Sequence, residues 1–399
     1  MRLPLLMGLS ALVLAPRAGA HAVTEQEFLS AFTGESAAVR ALTEGVARAE
    51  AARRRAGVLP NPRVDFWRER PDENPRLTNW TLSWTPPLDG RYGLAKKGAD
   101  ASLAAARARL SVDKAALRRD IRAAFAAWSL AFERCEALRR QLERVHSLAE
   151  VERQRARVGE ESGLSARRFT LAEAEVRSAL GTAEAALAKG QALARAWRTD
   201  LGPDAVPAPA APPEPPAVTD PTDSPELRAL AFEVEQAALE RKRAGRFLAF
   251  PTLQFGWQQL AGSGVVRSGP IFAAGWTVPL FDRDQAAQIE AERRQQAAAA
   301  RAEVAKARVA AEVEGGAAAY RVLFAASREA DRKSEDSDRV IAAATAAYRA
   351  GEASLTDLLD SLRAAMAVRL ADIDLRGQAL EAHRELEAAL GRPLTGGGF

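Results

Sequence analysis

Cysteine is almost missing: Cys135 is the only one in 399 residues. No intrachain disulfide can therefore form, and Cys135 reads as a small apolar side chain on a helix. Histidine is equally scarce. His21, His146 and His383 lie far apart, with no Cys, Asp or Glu grouped around them at ligand spacing, so no metal site is expected. Aromatic residues make up 6% of a chain that is 47% hydrophobic, and alanine and arginine fill long stretches instead. That balance favours extended helices over a compact globule, because Ala, Leu, Arg, Glu and Gln lose least on entering a helix. Charge of one sign is also lacking. The formal charge is +4, and +2 (4 − 2) without Arg2 and Arg17, too little to call for nucleic acid as a partner. There is no nucleophile motif, phosphate-binding glycine loop or metal-ligand pattern, so neither catalytic residues nor a cofactor are expected.

What is present begins with a leader. Arg2, the apolar run Leu3 to Ala15 and the ending Ala18-Gly19-Ala20 form the three parts of a secretory signal. The apolar run falls short of the ~20 residues that span a bilayer. A mature chain beginning at His21 is expected, without the cysteine that lipoprotein processing requires.

A Pro/Ala-rich linker, 203–222, separates two halves that match each other at one constant offset. Trp84-Thr85 falls on Trp276-Thr277, Pro87-Leu88 on Pro279-Leu280, Trp128 on Tyr320, Phe132 on Phe324 and Gly159-Glu160 on Gly351-Glu352. Alanine matches carry little weight in such a sequence, whereas the Trp-Thr-x-Pro-Leu and Gly-Glu-x-Ser matches are not products of composition. An internal duplication of this kind sets the fold. The first repeat, 21–202, predicts a helix over roughly 25–57, a β-hairpin at about 62–86 and long helices over about 93–198. The second, 223–391, predicts a helix over roughly 224–245, a hairpin at about 251–279 and long helices over about 284–390, before a flexible tail, 392–399. Pro60-Asn61-Pro62 and Phe250-Pro251 mark the breaks after the first helices.

The hairpin strands alternate apolar and polar residues, as a sheet wetted on one face does. Val64 and Phe66, then Trp80, Leu82 and Trp84, then Leu253, Phe255 and Trp257, then Phe272 and Trp276 fall on the apolar side and are expected to face lipid. Polar tips are expected at Asp72 to Arg76 and Ala261 to Ser268. Four strands cannot close a barrel, and an open sheet edge in lipid leaves backbone groups unpaired. Several copies must therefore share one barrel, and three copies would supply twelve strands. The helical tracts, each on the order of 100 Å if continuous, exceed what a single globular core needs. A periplasmic coiled-coil adaptor or a structural protein is the alternative reading, although the Gly- and Val-rich modules of adaptors are missing.

The signal, the duplicated helix, hairpin and long helical pair, the segment Gly57-Val58-Leu59-Pro60-Asn61-Pro62 and the segment Tyr348-Arg349-Ala350-Gly351-Glu352-Ala353-Ser354 together resemble the TolC-type outer-membrane factor family. The resemblance implies a mainly α fold with a small β part: a homotrimer in which twelve strands form one outer-membrane barrel continued by a periplasmic α-helical barrel. It implies a passive efflux duct with no enzymatic activity, in contact with outer-membrane lipid. It also implies docking on a periplasmic adaptor and on an inner-membrane pump, often of the resistance-nodulation-division type. The helical turns at Gly159, Glu160, Gly351 and Glu352 would form the adaptor-docking tip. Asp357 and Asp360, three residues apart on one helical face, would ring the periplasmic gate with Tyr348 helping to hold it closed. The first repeat has Ser165 and Arg168 at the corresponding places, so Arg168 is expected beside that ring. The Leu59-Pro60-Asn61-Pro62 segment resembles the branch that includes heavy-metal cation channels, but the chain offers almost no Met, His or Cys to line a metal path.

Overall fold

The structure is a computed structural model that describes residues 22–32, 36–70, 76–158, 163–202, 204–217, 220–246, 250–262 and 264–394. The expected leader, Gly159, Glu160, most of the first hairpin tip and the last five residues of the expected tail lie outside the described residues.

Local sequence sets where the helices start and stop. Helix α1 (Glu25–Ser30) begins in a capping box, with the Thr24 hydroxyl accepting from the Glu27 amide and the Glu27 carboxylate accepting from the Thr24 amide. Helix α2 (Ala37–Ala56) has Ser36 as its N-cap and Arg53, Arg54 and Arg55 in its last turn, where cations oppose the helix dipole. The single helix expected over 25–57 is thus two helices: Ser36 caps a fresh start. Helices α3 (Arg91–Arg157) and α4 (Gly163–Trp197) complete the first half. The second half supplies α5 (Pro225–Ala244), α6 (Gln285–Ala350) and α7 (Leu355–Leu390). At ~1.5 Å per residue, α3 and α6 are each about 100 Å long. Gly351, at φ +77°, ends α6 in the left-handed conformation that costs glycine nothing, and Ser354 starts α7 with a second capping box.

The described residues also form six strands. A short β1 (Ala22–Val23) precedes α1, and β4 (Val206–Pro207) lies in the linker. Strands β2 (Arg63–Glu69) and β3 (Arg76–Trp84) form one hairpin, and β5 (Thr252–Gly262) and β6 (Val265–Gly275) the other. The two hairpins join into a single antiparallel sheet in the order β2-β3-β5-β6. The second hairpin departs from the expected boundaries in two ways. Its strands run on through Ala261 and Val265 because Gly264, at φ +80°, allows a tight two-residue turn, so most of the expected 261–268 loop is strand. At the other end β6 stops at Gly275, which leaves Trp276 and Val278 just beyond it, ahead of Pro279.

The linker is pinned. Strand β4 pairs in parallel with β1, and the buried Ser129 hydroxyl of α3 donates to Ala208 O at 2.8 Å while accepting from Ala210 N at 3.1 Å. Tyr320 of α6 donates to Pro213 O further along. Proline's inability to continue a helix keeps this segment extended, and two buried hydroxyls tie it to the bundle.

The core is strung along the bundle in three clusters. One gathers Phe28, Ile121, Phe125, Trp128, Leu138 and Leu187 around the linker crossing. A second lies toward the helical turns, with Val145, Phe169, Leu358 and Leu362. The third joins Val309, Val313 and Tyr320 to Ala379 and Leu386. Small residues set the spacing between helices. A Cβ on Gly190 of α4 would stand 3.0 Å from the Trp128 Cα of α3, so this crossing needs a bare backbone. Gly256 does the same in the sheet, where a Cβ would collide with Trp80 O across the β3–β5 pairing that unites the halves.

Beside the third cluster, His383 is fully buried, its ring 5.1 Å from that of Tyr320. Its neighbours are charged: Glu387 one turn on, Arg122 paired with both Glu25 and Glu387, and Arg384. Burial pushes the imidazole down to about 4, against the pull of Glu387. The unfolded chain takes up this proton near pH 6.5, whereas the folded one resists it until about pH 4. His383 therefore costs no stability above that range and progressively destabilises the fold as pH drops through it. His383→Gln should flatten the acid side of the Tm–pH profile between these limits without changing its neutral plateau. Gly190→Leu should lose about 1–3 kcal/mol through overpacking, and Gly256→Ala should reduce the yield of folded protein. Gly45→Ala, at a helical position with nothing within 4 Å, should keep or raise Tm; thermal melts followed by circular dichroism check all four.

Candidate functional site: an apolar sheet face and a helical mouth

Pairing register brings the apolar strand positions onto one face. Val64, Leu82, Phe255 and Phe272 form one row across all four strands, and Phe66, Trp80, Trp257 and Pro270 form the next. Trp84, Leu253 and Ala274 extend it. Rings meet across the strands, Phe66 with Trp80 at 4.4 Å and Phe255 with Phe272 at 5.2 Å between centroids. All of these large side chains are exposed, Trp80 by 53% and Phe272 by 75%. Trp276 is exposed as well, though it lies past the strand end. The opposite face carries Ser83, Gln254, Thr81, Asn79 and Gln258, with Arg63 bonded to Asp65 at 2.7 Å, and is interrupted by Trp67, Leu77, Leu260 and Ile271. A sheet with a continuous exposed aromatic band on one side and a more polar face on the other is the pattern of a strand set between lipid and water. Among the described residues, no helix is long and apolar enough to cross a membrane.

At the far end, the turn after α6 brings the candidate gate residues together with α4. Tyr348 packs edge-on to Phe169, 6.4 Å between centroids, against the cluster of Leu355, Leu358 and Ile341. Arg168 donates to the Thr356 hydroxyl at 3.1 Å, which sets it beside Asp357 in sequence. The same two helices also pair through charge: Arg363 of α7 with Glu175 of α4 at 2.9 Å. Asp360 is exposed. Asp357 has a structural task that the sequence signals through Ser354-x-x-Asp357. Its carboxylate accepts from the Ser354 hydroxyl at 2.6 Å and the Ser354 amide at 3.0 Å, which holds it below the usual carboxylate range. Asp357 thus closes the α7 capping box. Gly351 and Glu352 form the exposed turn, while Gly159 and Glu160 lie outside the described residues. The ring contact Phe169–Tyr348 and the Arg363–Glu175 pair are not legible from periodicity, because both join helices from different repeats. Among the described residues, no group of His, Cys, Asp and Glu side chains could hold a metal ion.

The family model for outer membrane efflux proteins matches residues 222–392, which is the second repeat. The second repeat thus carries the outer membrane efflux protein pattern. The fold along nearly the whole chain is that of solved outer-membrane channels. The structure of CusC is 17% identical with a TM-score of 0.77, over 95% of this chain and 96% of that one. The outer-membrane protein VceC of Vibrio cholerae is 17% identical with a TM-score of 0.72, over 92% and 95%. The outer-membrane channel MtrE of Neisseria gonorrhoeae, in its open state, is 18% identical with a TM-score of 0.67, over 92% and 89%. None of the curated proteins matches this sequence. The resemblance to TolC-type outer-membrane factors is borne out in the fold, mainly α with a small β part. CusC and MtrE are described as channels.

Two aspartates three residues apart make separable predictions. Asp357→Ala should fray the first turn of α7 and lower Tm, whereas Asp360→Asn should leave Tm unchanged. Single-channel recordings at matched salt should show reduced cation preference for Asp360→Asn. A Tm loss in Asp360→Asn equal to that of Asp357→Ala would make both residues structural.

Proposed function

We propose that three copies of this chain form a passive duct. Their twelve strands close one outer-membrane barrel, and their long helices form a periplasmic tunnel narrowed near Asp360, Arg168 and Tyr348. The duct receives cargo from a periplasmic adaptor and an inner-membrane pump docked at the Gly351-Glu352 turn. The observation that carries this reading is the four-stranded sheet itself. Its apolar face is exposed over all four strands while β2 and β6 remain open edges, an arrangement that is costly in water and in lipid alike until other strands complete it.

A duct of this kind needs no chemistry of its own; the pump selects and the tunnel conducts. Gating comes down to whether the α4–α7 and α4–α6 contacts hold. Arg168→Ala removes the bond to Thr356, and Tyr348→Ala removes the ring packed on Phe169. In planar bilayers the wild-type protein should conduct with low resting conductance, and the double variant should raise it several-fold. An epitope inserted at 71–75 should be reachable on intact cells. Absence of any conductance from correctly folded wild-type protein, or an epitope detected only after the outer membrane is permeabilised, would contradict the duct.

A further inference from the structure

Helix α3 and the end of α7 border a half-open cavity of about 180 Å³. Its polar lining is mostly cationic: Lys114, Arg118, Arg384 and Arg392 border it with Glu387, and Gly391 closes one side. That volume is room for roughly six waters, or for one tetrahedral oxyanion and a few waters.

Two of the guanidinium groups are buried with too few partners. Arg118 is 7% exposed and forms neither a hydrogen bond nor an ion pair with any described residue, and its Nε is shielded from solvent without a partner. Arg384 is 6% exposed, with an unpartnered buried nitrogen in its guanidinium and a single loose contact to Glu381 at 3.6 Å. Glu387 favours the charge on Arg118 but is shared. Its carboxylate is already engaged by Arg122 and by the Leu394 amide at 2.9 Å. Desolvation pushes both Arg118 and Arg384 down from the ordinary arginine value, the sign of charges held where little balances them. A buried guanidinium left unpaired costs several kcal/mol, and natural folds keep such groups with a counter-ion.

We propose that this cavity is a binding site for a free oxyanion of the phosphate or sulfate class. Arg118 and Arg384 bind it from the buried side, each presenting planar donors suited to such oxygens, while Lys114 and Arg392 close the rim. From Arg91 to Lys114 the helix runs about 35 Å at ~1.5 Å per residue, which carries the cavity well clear of the sheet and beyond reach of a lipid headgroup. The site ties α3 to the end of α7, so the bound anion links the two repeats.

The test uses the full mature protein in a phosphate-free, uncharged detergent, titrated calorimetrically with inorganic phosphate and separately with sulfate at constant ionic strength set by chloride. Saturable binding near one anion per chain is expected. It should weaken by about tenfold or more in Lys114→Gln/Arg392→Gln, two rim changes that leave the buried groups and the fold alone. Arg118→Met should abolish binding and leave the protein as stable as the wild type, or more so, in chloride. No heat beyond that of chloride, or equal affinity in the rim variant, would overturn the site. So would a cavity found filled by a carboxylate of a neighbouring copy, since phosphate would then not bind.

Discussion

Backbone N–H and C=O groups inside a bilayer must be paired, and on the proposed function that requirement organises everything else in this molecule. The chain contributes four strands to its large sheet, of which β3 and β5 are satisfied on both sides and β2 and β6 on one side only. Exposed Trp, Phe and Leu side chains on one face commit the sheet to an apolar surround. A sheet so committed cannot remain open, so the edges imply further copies. Gly256 shows how closely the strands at the centre approach, since even one methyl group there would meet the Trp80 carbonyl.

The helices answer a different demand. Helices of about 100 Å cannot bury themselves in a single globular core, and here the core is divided into three clusters strung along the bundle. Charge is spread the same way: Arg139 pairs with Glu184, Arg134 with Asp374 and Arg144 with Asp338 across helix boundaries. Each such exposed pair contributes little. Together they show how a chain with 56 basic and 52 acidic residues accommodates so many charges at almost no net charge. The linker crosses this bundle as a strap, held by Ser129 and Tyr320, and so takes part in the packing of both repeats.

Much of this is legible in the sequence, and the limits have physical causes. Period-two alternation locates the residues of the apolar face because the two faces alternate along any strand. It also places Trp276 in a strand that ends one residue earlier, since alternation does not register the proline that follows. The tight turn at Gly264 is hidden because a left-handed glycine looks the same as any other glycine. The family resemblance assigns Asp357 to the gate, yet Ser354-x-x-Asp357 is also a capping box, and the structure shows that role directly. Arg118 and Arg384 cannot be singled out at all. In a chain this rich in arginine on helices, only tertiary packing separates a buried guanidinium from a solvated one.

On the proposed function, this sheet is completed only by other copies of the same chain. The most direct measurement is the mass of the purified mature protein, by light scattering in detergent and by native mass spectrometry after detergent removal in the gas phase. Three chains per particle, with precipitation when detergent is withdrawn from solution, is the predicted result. A monodisperse single chain, soluble without detergent and with its full helix content, would contradict it.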